Sequence, residues 1–188
     1  YVALWLVAAP ASAQVDVEVL RRDPNAPGWS GALEASWALA RGNLERVEVG
    51  GKGQLQLQTL FPHAERSRPP FVRARVLAIA SGAYAKAEGV TVASQAFGHV
   101  RSTAMWWPRV GTEVYAQVQR DDFLRLQGRF VVGAGPRFVI VHEDAIELEA
   151  GTSLMPEVER YDDEAGLPTS NERRALRTSN LVVLRLAS

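Results

Sequence analysis

The sequence has no cysteine among its 188 residues. This absence excludes disulfide bonds, thiolate nucleophiles and cysteine-ligated zinc. It also lacks an excess of either charge, because 21 Lys and Arg balance 21 Asp and Glu. A basic footprint for nucleic acid is therefore missing, and so is the polyanionic character that suits cationic ligands. The length predicts one domain, and the apolar fraction of 47% is ordinary for a folded protein.

One apolar run opens the chain and is too short to cross a membrane as a helix, which needs about 20 apolar residues. It covers Tyr1–Ala9 and is followed by Pro10 and by Ala11-Ser12-Ala13 before Gln14. An apolar core that leads into an A-x-A site is typical of a secretory signal peptide. We therefore predict a partial signal peptide over 1–13, a periplasmic N-terminal segment over 14–28 and a β-barrel domain over 29–188. A buried core strand or helix is the alternative for the first run.

From Trp29 onward, apolar and polar residues alternate with a period of two, which indicates strands with one face of each kind. The stretch Arg46–Gln58 shows this best: apart from three glycines at 50, 51 and 53, its even positions are polar and its odd positions are valine or leucine. The same pattern recurs around Trp29–Leu39, Phe71–Tyr84, Val90–Trp106, Glu113–Gln119, Arg129–Phe138, Ile146–Leu154 and Leu176–Leu186. We expect about eight antiparallel strands and no helix.

Turn signals separate these strands. Arg41-Gly42-Asn43, Trp107-Pro108-Arg109 and His142-Glu143-Asp144 predict short turns. The polar stretch Tyr161–Arg174 and the proline-broken stretch Leu60–Pro70 predict longer connections. Short turns at one end and longer loops at the other are typical of a bacterial membrane barrel.

Alternation alone does not separate a membrane barrel from a soluble one, but three further features favour the membrane. Many predicted strands exceed the roughly 9–11 residues that cross a bilayer. Aromatic residues fall near predicted strand ends, where an interfacial girdle would lie: Trp29, Trp37, Trp106, Trp107 and Phe123. The polar face carries both charges, as a lumen of interlocked ion pairs would. These charged residues are Arg46, Lys52, Arg73, Arg101, Arg129 and Arg137, with Glu34, Glu48, Glu113, Glu147 and Glu149.

Several stretches resemble one known family. They are Gln119–Arg129 with Val132–Phe138, Gly31–Asn43, and Leu148–Gly151 before Glu159-Arg160-Tyr161. This sequence resembles the domain-of-unknown-function-481 family of outer-membrane proteins, some of which are called salt-induced, from about Trp29 to the C-terminus. The resemblance implies a transmembrane barrel and supplies no catalytic residues. Family members usually continue with further strands to an aromatic end, so we expect a truncation at both ends and a family barrel of more than eight strands.

The sequence has three histidines, which are the candidates for a metal ligand or a general base. His63 falls in the proline-rich connection, His142 in a turn and His99 within a strand, and none has the spacing of a metal site. His99 as a general base would need a serine two positions away on its face, but those positions hold Phe97 and Arg101. We therefore predict a hydrogen-bonded lumenal His99.

Acidic pairs and strand glycines also have simple interpretations. Asp121-Asp122 and Asp162-Asp163-Glu164 fit solvated loops better than a cation site, a lipopolysaccharide-bridging rim or a protease centre. Gly50-Gly51 and Gly133-Ala134-Gly135 lie inside strands and lead into no helix, so they predict bending or close packing and not a phosphate loop.

The sequence thus predicts an all-β, antiparallel up-and-down transmembrane barrel in the outer membrane, with no catalytic, cofactor or metal site. We expect a non-enzymatic envelope or stress-related role. Expected partners are outer-membrane lipids, lipopolysaccharide and the barrel assembly machinery, and no nucleic acid. Three alternatives stay open at this point: a narrow pore, an outer-membrane hydrolase that uses His99, and a soluble periplasmic barrel that binds a small ligand.

Overall fold

A computed structural model describes residues 27–40, 45–62, 71–162 and 172–186. Every regular element in these ranges is a strand. The strands are β1 (Gly28–Ala40), β2 (Arg46–Leu60), β3 (Val72–Ala87), β4 (Val90–Trp107), β5 (Val110–Asp121), β6 (Leu126–His142), β7 (Ile146–Tyr161) and β8 (Glu172–Leu186). The predicted segment 1–13 and most of 14–28 lie outside the described residues.

The eight strands form one sheet in which each strand pairs antiparallel with its neighbour in sequence. The predicted all-β, antiparallel up-and-down fold is therefore confirmed. Within the described ranges β1 and β8 are not hydrogen-bonded to each other, so the barrel is not closed. No helix long and apolar enough to cross a membrane occurs among the described residues.

The sheet is strongly curved, so that one face is concave. The ring of Phe71, just before β3, lies 3.8 Å from the ring of His142 at the end of β6. The hydroxyl of Tyr115 on β5 lies 3.1 Å from the hydroxyl of Ser153 on β7. These contacts cross strands that are not neighbours, so their side chains meet inside the curve. We call this concave side the inner face and the opposite side the outer face.

The faces follow the predicted alternation. On β2 the inner positions are Arg46, Glu48, Lys52, Gln54, Gln56 and Gln58, and the outer positions include Val47, Val49, Leu55 and Leu57. The inner face is not uniformly polar, however. Leu77 and Ile79 lie on it, 1% and 4% exposed, and form a small apolar cluster. Arg73 shares their face but is exposed at the start of β3.

The prediction of short turns at one end and longer loops at the other is wrong, because the two long predicted connections follow β2 and β7 and so lie at opposite ends of the sheet. End A carries the connections that follow β1, β3, β5 and β7, and end B carries those that follow β2, β4 and β6. The predicted turns at Pro108-Arg109 and after His142 are confirmed at end B. At end A the two-residue turn between β3 and β4 has Glu88 and Gly89 at φ of 50° and 80°, as a tight hairpin needs. Arg41–Asn43 lies outside the described residues.

Strand limits were predicted less well than strand number. The strands span 12 to 18 residues, and several run beyond their predicted limits. β7 was expected to end near Leu154 but reaches Tyr161, and β8 begins at Glu172, inside the predicted loop. The physical reason for the first error is Pro156, which interrupts the sequence pattern although the strand continues through it.

Candidate functional site

Charged side chains on the inner face form two separate clusters. The end-B cluster consists of Arg101, Glu113, Arg137, Glu147, Glu149 and Arg185. The end-A cluster consists of Arg129, Glu157, Glu159 and Arg177. Each cluster contains equal numbers of arginines and glutamates, so each is formally neutral. Six of the eleven charged residues predicted for the lumen belong to these two clusters. Of the other five, Arg46 pairs with Glu48 on β2, and Glu34, Lys52 and Arg73 are exposed.

Arg137 is the centre of the end-B cluster, and it is 1% exposed. Its Nη1 donates to Glu113 Oε2 at 2.9 Å, and its Nε donates to Glu149 Oε2 at 2.9 Å. Glu149 also accepts from Arg185 Nη1 at 2.9 Å, and Arg101 Nη1 lies 3.9 Å from Glu113 Oε2. One guanidinium thus joins β5, β6 and β7. Because buried charges are costly unless they are paired, these residues hold the three strands in one register.

Glu157 is the centre of the end-A cluster, and it is 2% exposed. Arg129 contacts Glu157 and lies 3.4 Å from Glu159 Oε1, while Arg177 Nε lies 2.8 Å from Glu157 Oε2. Tyr161 donates its hydroxyl hydrogen to Glu159 Oε2 at 3.1 Å. This cluster therefore links β6, β7 and β8 at the end opposite to Arg137.

An uncharged layer separates the two clusters. Tyr115, Val131 and Met155 pack together and are all buried. Tyr115 lies against Gly133, where an added Cβ would be 2.2 Å from the Tyr115 Cζ. Gly133 is therefore present because the ring occupies the space, in agreement with the close packing predicted for this strand glycine.

The histidines lie in different surroundings. His99 is 4% exposed on the inner face of β4, with its ring 6.3 Å from that of Phe97 and 6.0 Å from that of Tyr115. His142 stacks on Phe71, and its Nδ1 lies 3.4 Å from Glu147 Oε1. His63 lies outside the described residues. The predicted position of His99 on the inner face agrees with its burial, but the predicted hydrogen bond is not found, because both ring nitrogens are buried without a hydrogen-bond partner among the described residues.

The acidic residues of the predicted loops lie at end A. Asp121 Oδ1 accepts backbone N–H groups of Phe123 and Leu124 at 3.0 and 3.2 Å, which fixes the β5–β6 turn. Arg120 Nε donates to Asp122 Oδ1 at 2.9 Å, and this hydrogen bond lowers the pKa of Asp122. Asp163 and Glu164 lie outside the described residues. Within the described ranges, no group of His, Cys, Asp or Glu could hold a metal ion.

Three concavities differ in chemistry. The outer face of β1–β5 has an open groove of about 800 Å³ whose walls are mostly glycine, alanine, valine and leucine. At end B, beside Arg137 and His142, a small pocket on the inner face has a volume of about 30 Å³. Towards end A, a pocket of about 270 Å³ lies over β3, β4 and β5. Of these two inner pockets, the one towards end A is much the larger.

Two central residues of these clusters were missed from the sequence. Glu157 and Glu159 lie beyond the predicted end of β7, although alternation could have found them. Glu147, Glu149, Ser153, Glu157 and Glu159 all occupy odd positions of one strand. The pairing partners could not be read from the sequence, because they depend on how neighbouring strands align.

Comparison of this sequence with known proteins identifies its family but no individual related protein. No curated protein and no solved structure matches the chain. A family model described as "Protein of unknown function, DUF481" matches residues 71–187. The match includes β3 to β8 and both charged clusters, and it leaves out β1 and β2, to which the sequence resemblance had extended. Because more than half of the chain is matched, this protein belongs to the DUF481 family.

Proposed function

We propose that this protein is a non-enzymatic β-barrel protein of the outer membrane with a structural or stress-related role in the envelope. One observation carries the proposal: large apolar side chains point outward and charged side chains point inward. Val100, Val114 and Phe130 on the outer face are each 50% exposed, whereas Arg137 on the inner face is 1% exposed. A lipid environment would cover the apolar side chains that water would otherwise contact.

The outer face has the dimensions of a membrane-crossing surface. On β5 its residues from Val110 to Val118 are uncharged, and on β6 so are those from Phe130 to Ile140. Roughly 9–11 residues per tilted strand suffice to cross a bilayer. Exposed aromatic residues flank this band: Trp29, Trp106 and Trp107 towards end B, and Trp37 and Phe123 towards end A. Aromatic girdles at both interfaces have this arrangement.

Charge on the outer face of the strands is concentrated at end A, which supports lipopolysaccharide and lipids as partners. The basic residues there are Lys86, Arg120, Arg160 and Arg174, all exposed. Arg120 pairs with Asp122, and Arg160 and Arg174 pair with Glu172. Each basic residue lies within a few residues of an end-A strand terminus, where anionic headgroups would lie, so we expect end A to face the outside and end B the periplasm.

The inner face favours a structural role over transport. At end B the pocket beside Arg137 has a volume of about 30 Å³, which is room for about one water molecule. In the middle, Tyr115, Val131 and Met155 are packed against one another. These side chains occupy the inner space beside β5, β6 and β7, so we expect the folded protein not to conduct.

A charge placed in the middle of the outer face tests the membrane location. If lipid covers Val114, then Val114→Arg destabilises the protein by about 2–4 kcal/mol, the cost of arginine near the bilayer midplane. Folding into liposomes is measured by urea titration and by the mobility of unboiled samples on a denaturing gel. Thr91→Arg, beside the end-A turn, is the control and should cost little.

A soluble barrel gives the opposite result. Val114→Arg would then be nearly neutral, the protein would be extracted without detergent, and boiling would not change its mobility. That outcome would contradict the proposal.

A narrow pore is the second candidate. It is favoured by the inner residues of β1 and the start of β2, among them Ser30, Glu34 and Lys52, which are exposed. Ion conductance across planar bilayers by the wild-type protein, altered in Lys52→Glu, would support the pore and contradict the closed interior.

A further inference from the structure

The pocket of about 270 Å³ towards end A is formed by two cross-strand rows of inner-facing side chains. Ser81, Phe97 and Gln119 form one row, since Ser81 aligns with Phe97 and Phe97 with Gln119. Ala83, Gln95 and Asp121 form the row nearer to end A. Six side chains from three strands therefore surround one space. The size suits a single small ring, because pockets for drug-sized ligands begin at about 300 Å³.

The inward polar groups of this pocket are mainly uncharged, and Arg120, which also borders the pocket, occupies a strand position of the outer face. Ser81 contributes a hydroxyl, and Gln95 and Gln119 contribute amides, which both donate and accept hydrogen bonds. Asp121 is the only inward carboxylate of the pocket, and its Oδ1 already accepts two backbone N–H groups of the β5–β6 turn. This carboxylate repels anions. One carboxylate with its oxygen engaged is also too little for a metal ion.

Phe97 supplies a flat apolar surface beside these amides. Its ring packs against the buried Leu77 and Ile79, and it lies parallel to the ring of His99, at an angle of 2°. Leu77 and Ile79 therefore fix the position of the Phe97 side chain, which remains partly exposed to the pocket. An aromatic face next to amide groups matches a pyranose, which has C–H groups on its faces and hydroxyl groups around its rim.

One buried atom indicates what a ligand must bring. Gln119 Oε1 is buried and has no hydrogen-bond partner in the protein. A buried acceptor without a donor is unfavourable, so turning the Gln119 amide towards a molecule that donates a hydrogen bond would be stabilising. A sugar hydroxyl donates such a bond, whereas a carboxylate oxygen cannot.

We infer that this pocket binds a neutral hexopyranose unit, either free or at the end of a larger saccharide. Phe97 contacts a face of the ring, and Ser81, Gln95 and Gln119 hydrogen-bond its hydroxyl groups. The inference goes beyond the proposed structural role. It does not require the outer face to contact lipid, since the pocket lies on the inner face in either case.

Binding is tested with the full chain, folded in a detergent without a sugar headgroup, such as a zwitterionic amine oxide. The probes are methyl α-D-glucopyranoside and N-acetyl-D-glucosamine, with D-glucuronate as the anionic comparison. Saturation-transfer difference NMR measures their dissociation constants. We expect saturable binding of at least one neutral probe and at least tenfold weaker binding of glucuronate.

Two variants locate the site. Gln119→Leu removes the unpaired acceptor, and we expect about tenfold weaker binding. Ala83→Leu fills the pocket without removing a polar group, and we expect binding to be lost. Gln54→Leu, an inner-facing amide on β2 outside the pocket, is the matched control and should bind as the wild type does. The mobility of unboiled samples on a denaturing gel verifies that each variant is folded.

Three results would overturn the inference. The first is the absence of saturable binding by both neutral probes. The second is unchanged binding in folded Ala83→Leu. The third is binding of glucuronate as tight as that of the neutral sugars.

Discussion

Strands β5–β8 and strands β1–β4 turn their inner faces towards the same interior, but they bury different chemical groups. The four buried glutamates of the described residues, Glu113, Glu149, Glu157 and Glu159, all lie on β5 and β7. On β2 and β4 the buried polar groups are instead amides, a histidine, an arginine and a threonine: Gln56, Gln58, His99, Arg101 and Thr103. We call β5–β8 the ionic half and β1–β4 the amide half.

The two halves of the sheet therefore differ in how strongly their buried side chains fix the register of the strands. In the ionic half, Arg137 and Glu157 each join side chains from neighbouring strands, so a shift of register would leave buried charges without partners. In the amide half, the buried glutamines of β2 would exchange one uncharged hydrogen bond for another at lower cost, although the buried Arg75 and Arg101 also need partners there. The ionic half therefore fixes the geometry and fills the interior, and the amide half borders the space that remains open.

Replacing the central arginine should produce the largest effect. Arg137→Met leaves Glu113 and Glu149 buried with less compensation, so we expect a loss of about 3–5 kcal/mol in the free energy of unfolding. Gln58→Met is the matched change in the amide half. Gln58 is 1% exposed and accepts from Arg75 Nε at 2.7 Å, but it carries no charge and its replacement leaves no buried carboxylate, so the loss should be smaller, about 1–3 kcal/mol.

Urea unfolding in liposomes, followed by tryptophan fluorescence, measures both variants. Adding Glu113→Gln to Arg137→Met should recover part of the stability, because it removes one of the stranded charges. Equal losses in the two single variants would mean that the halves do not differ as described.

Adding one methyl group to a glycine compares packing in the two halves and should produce an intermediate effect. In Gly133→Ala the new Cβ would lie 2.2 Å from Tyr115 Cζ, so overpacking should cost about 1–3 kcal/mol. In Gly53→Ala on β2 the nearest atom, Leu33 Cδ1, is at an ordinary 3.5 Å. Alanine has fewer backbone conformations than glycine in the unfolded chain, so Gly53→Ala should be neutral or stabilise the fold by up to about 1 kcal/mol. The same unfolding titration measures both, and a stable Gly133→Ala would refute the close packing around Tyr115.

The turn of the ionic half should show the smallest effect, through its dependence on pH. The hydrogen bond from Arg120 lowers the pKa of Asp122 in the folded protein. A carboxyl whose folded pKa is lowered stabilises the fold above its unfolded pKa, and that contribution disappears as pH falls through the folded pKa. Asp122→Asn should therefore be slightly less stable than the wild type at neutral pH. The two should become equal in acid well below the normal range of aspartate, and a difference that persisted there would argue against this ion pair.

The two halves also differ in what the sequence could predict. Strict alternation from Arg46 to Gln58 gave both the position of β2 and the face of each residue, because a period of two can only be satisfied by a strand. On β7, Pro156 interrupted the pattern, so Glu157 and Glu159 were missed. The partners of Arg137 could not be predicted at all. They are 24 and 12 residues away, and a slip of one residue in register would have placed them on the opposite face.

Leu77 and Ile79 show a second limit of the pattern. Alternation predicts two faces, but it does not say that a face is uniform, and these residues bring an apolar patch onto the polar side. The end-A pocket depends on that patch, since it supports Phe97. The pocket itself was not predicted, because its six side chains come from three strands whose alignment only the structure shows.

The order of the strands has a consequence for how fast the sheet can form. All seven pairings join strands that are consecutive in the chain, so within the described residues no strand pairing has to wait for a distant part of the chain. Folding rates rise as the mean sequence separation of contacts falls, because less chain entropy is lost before each contact forms. This sheet can therefore grow one hairpin at a time in chain order. Any step that joins β1 to a strand after β8 would be its most distant contact and its slowest.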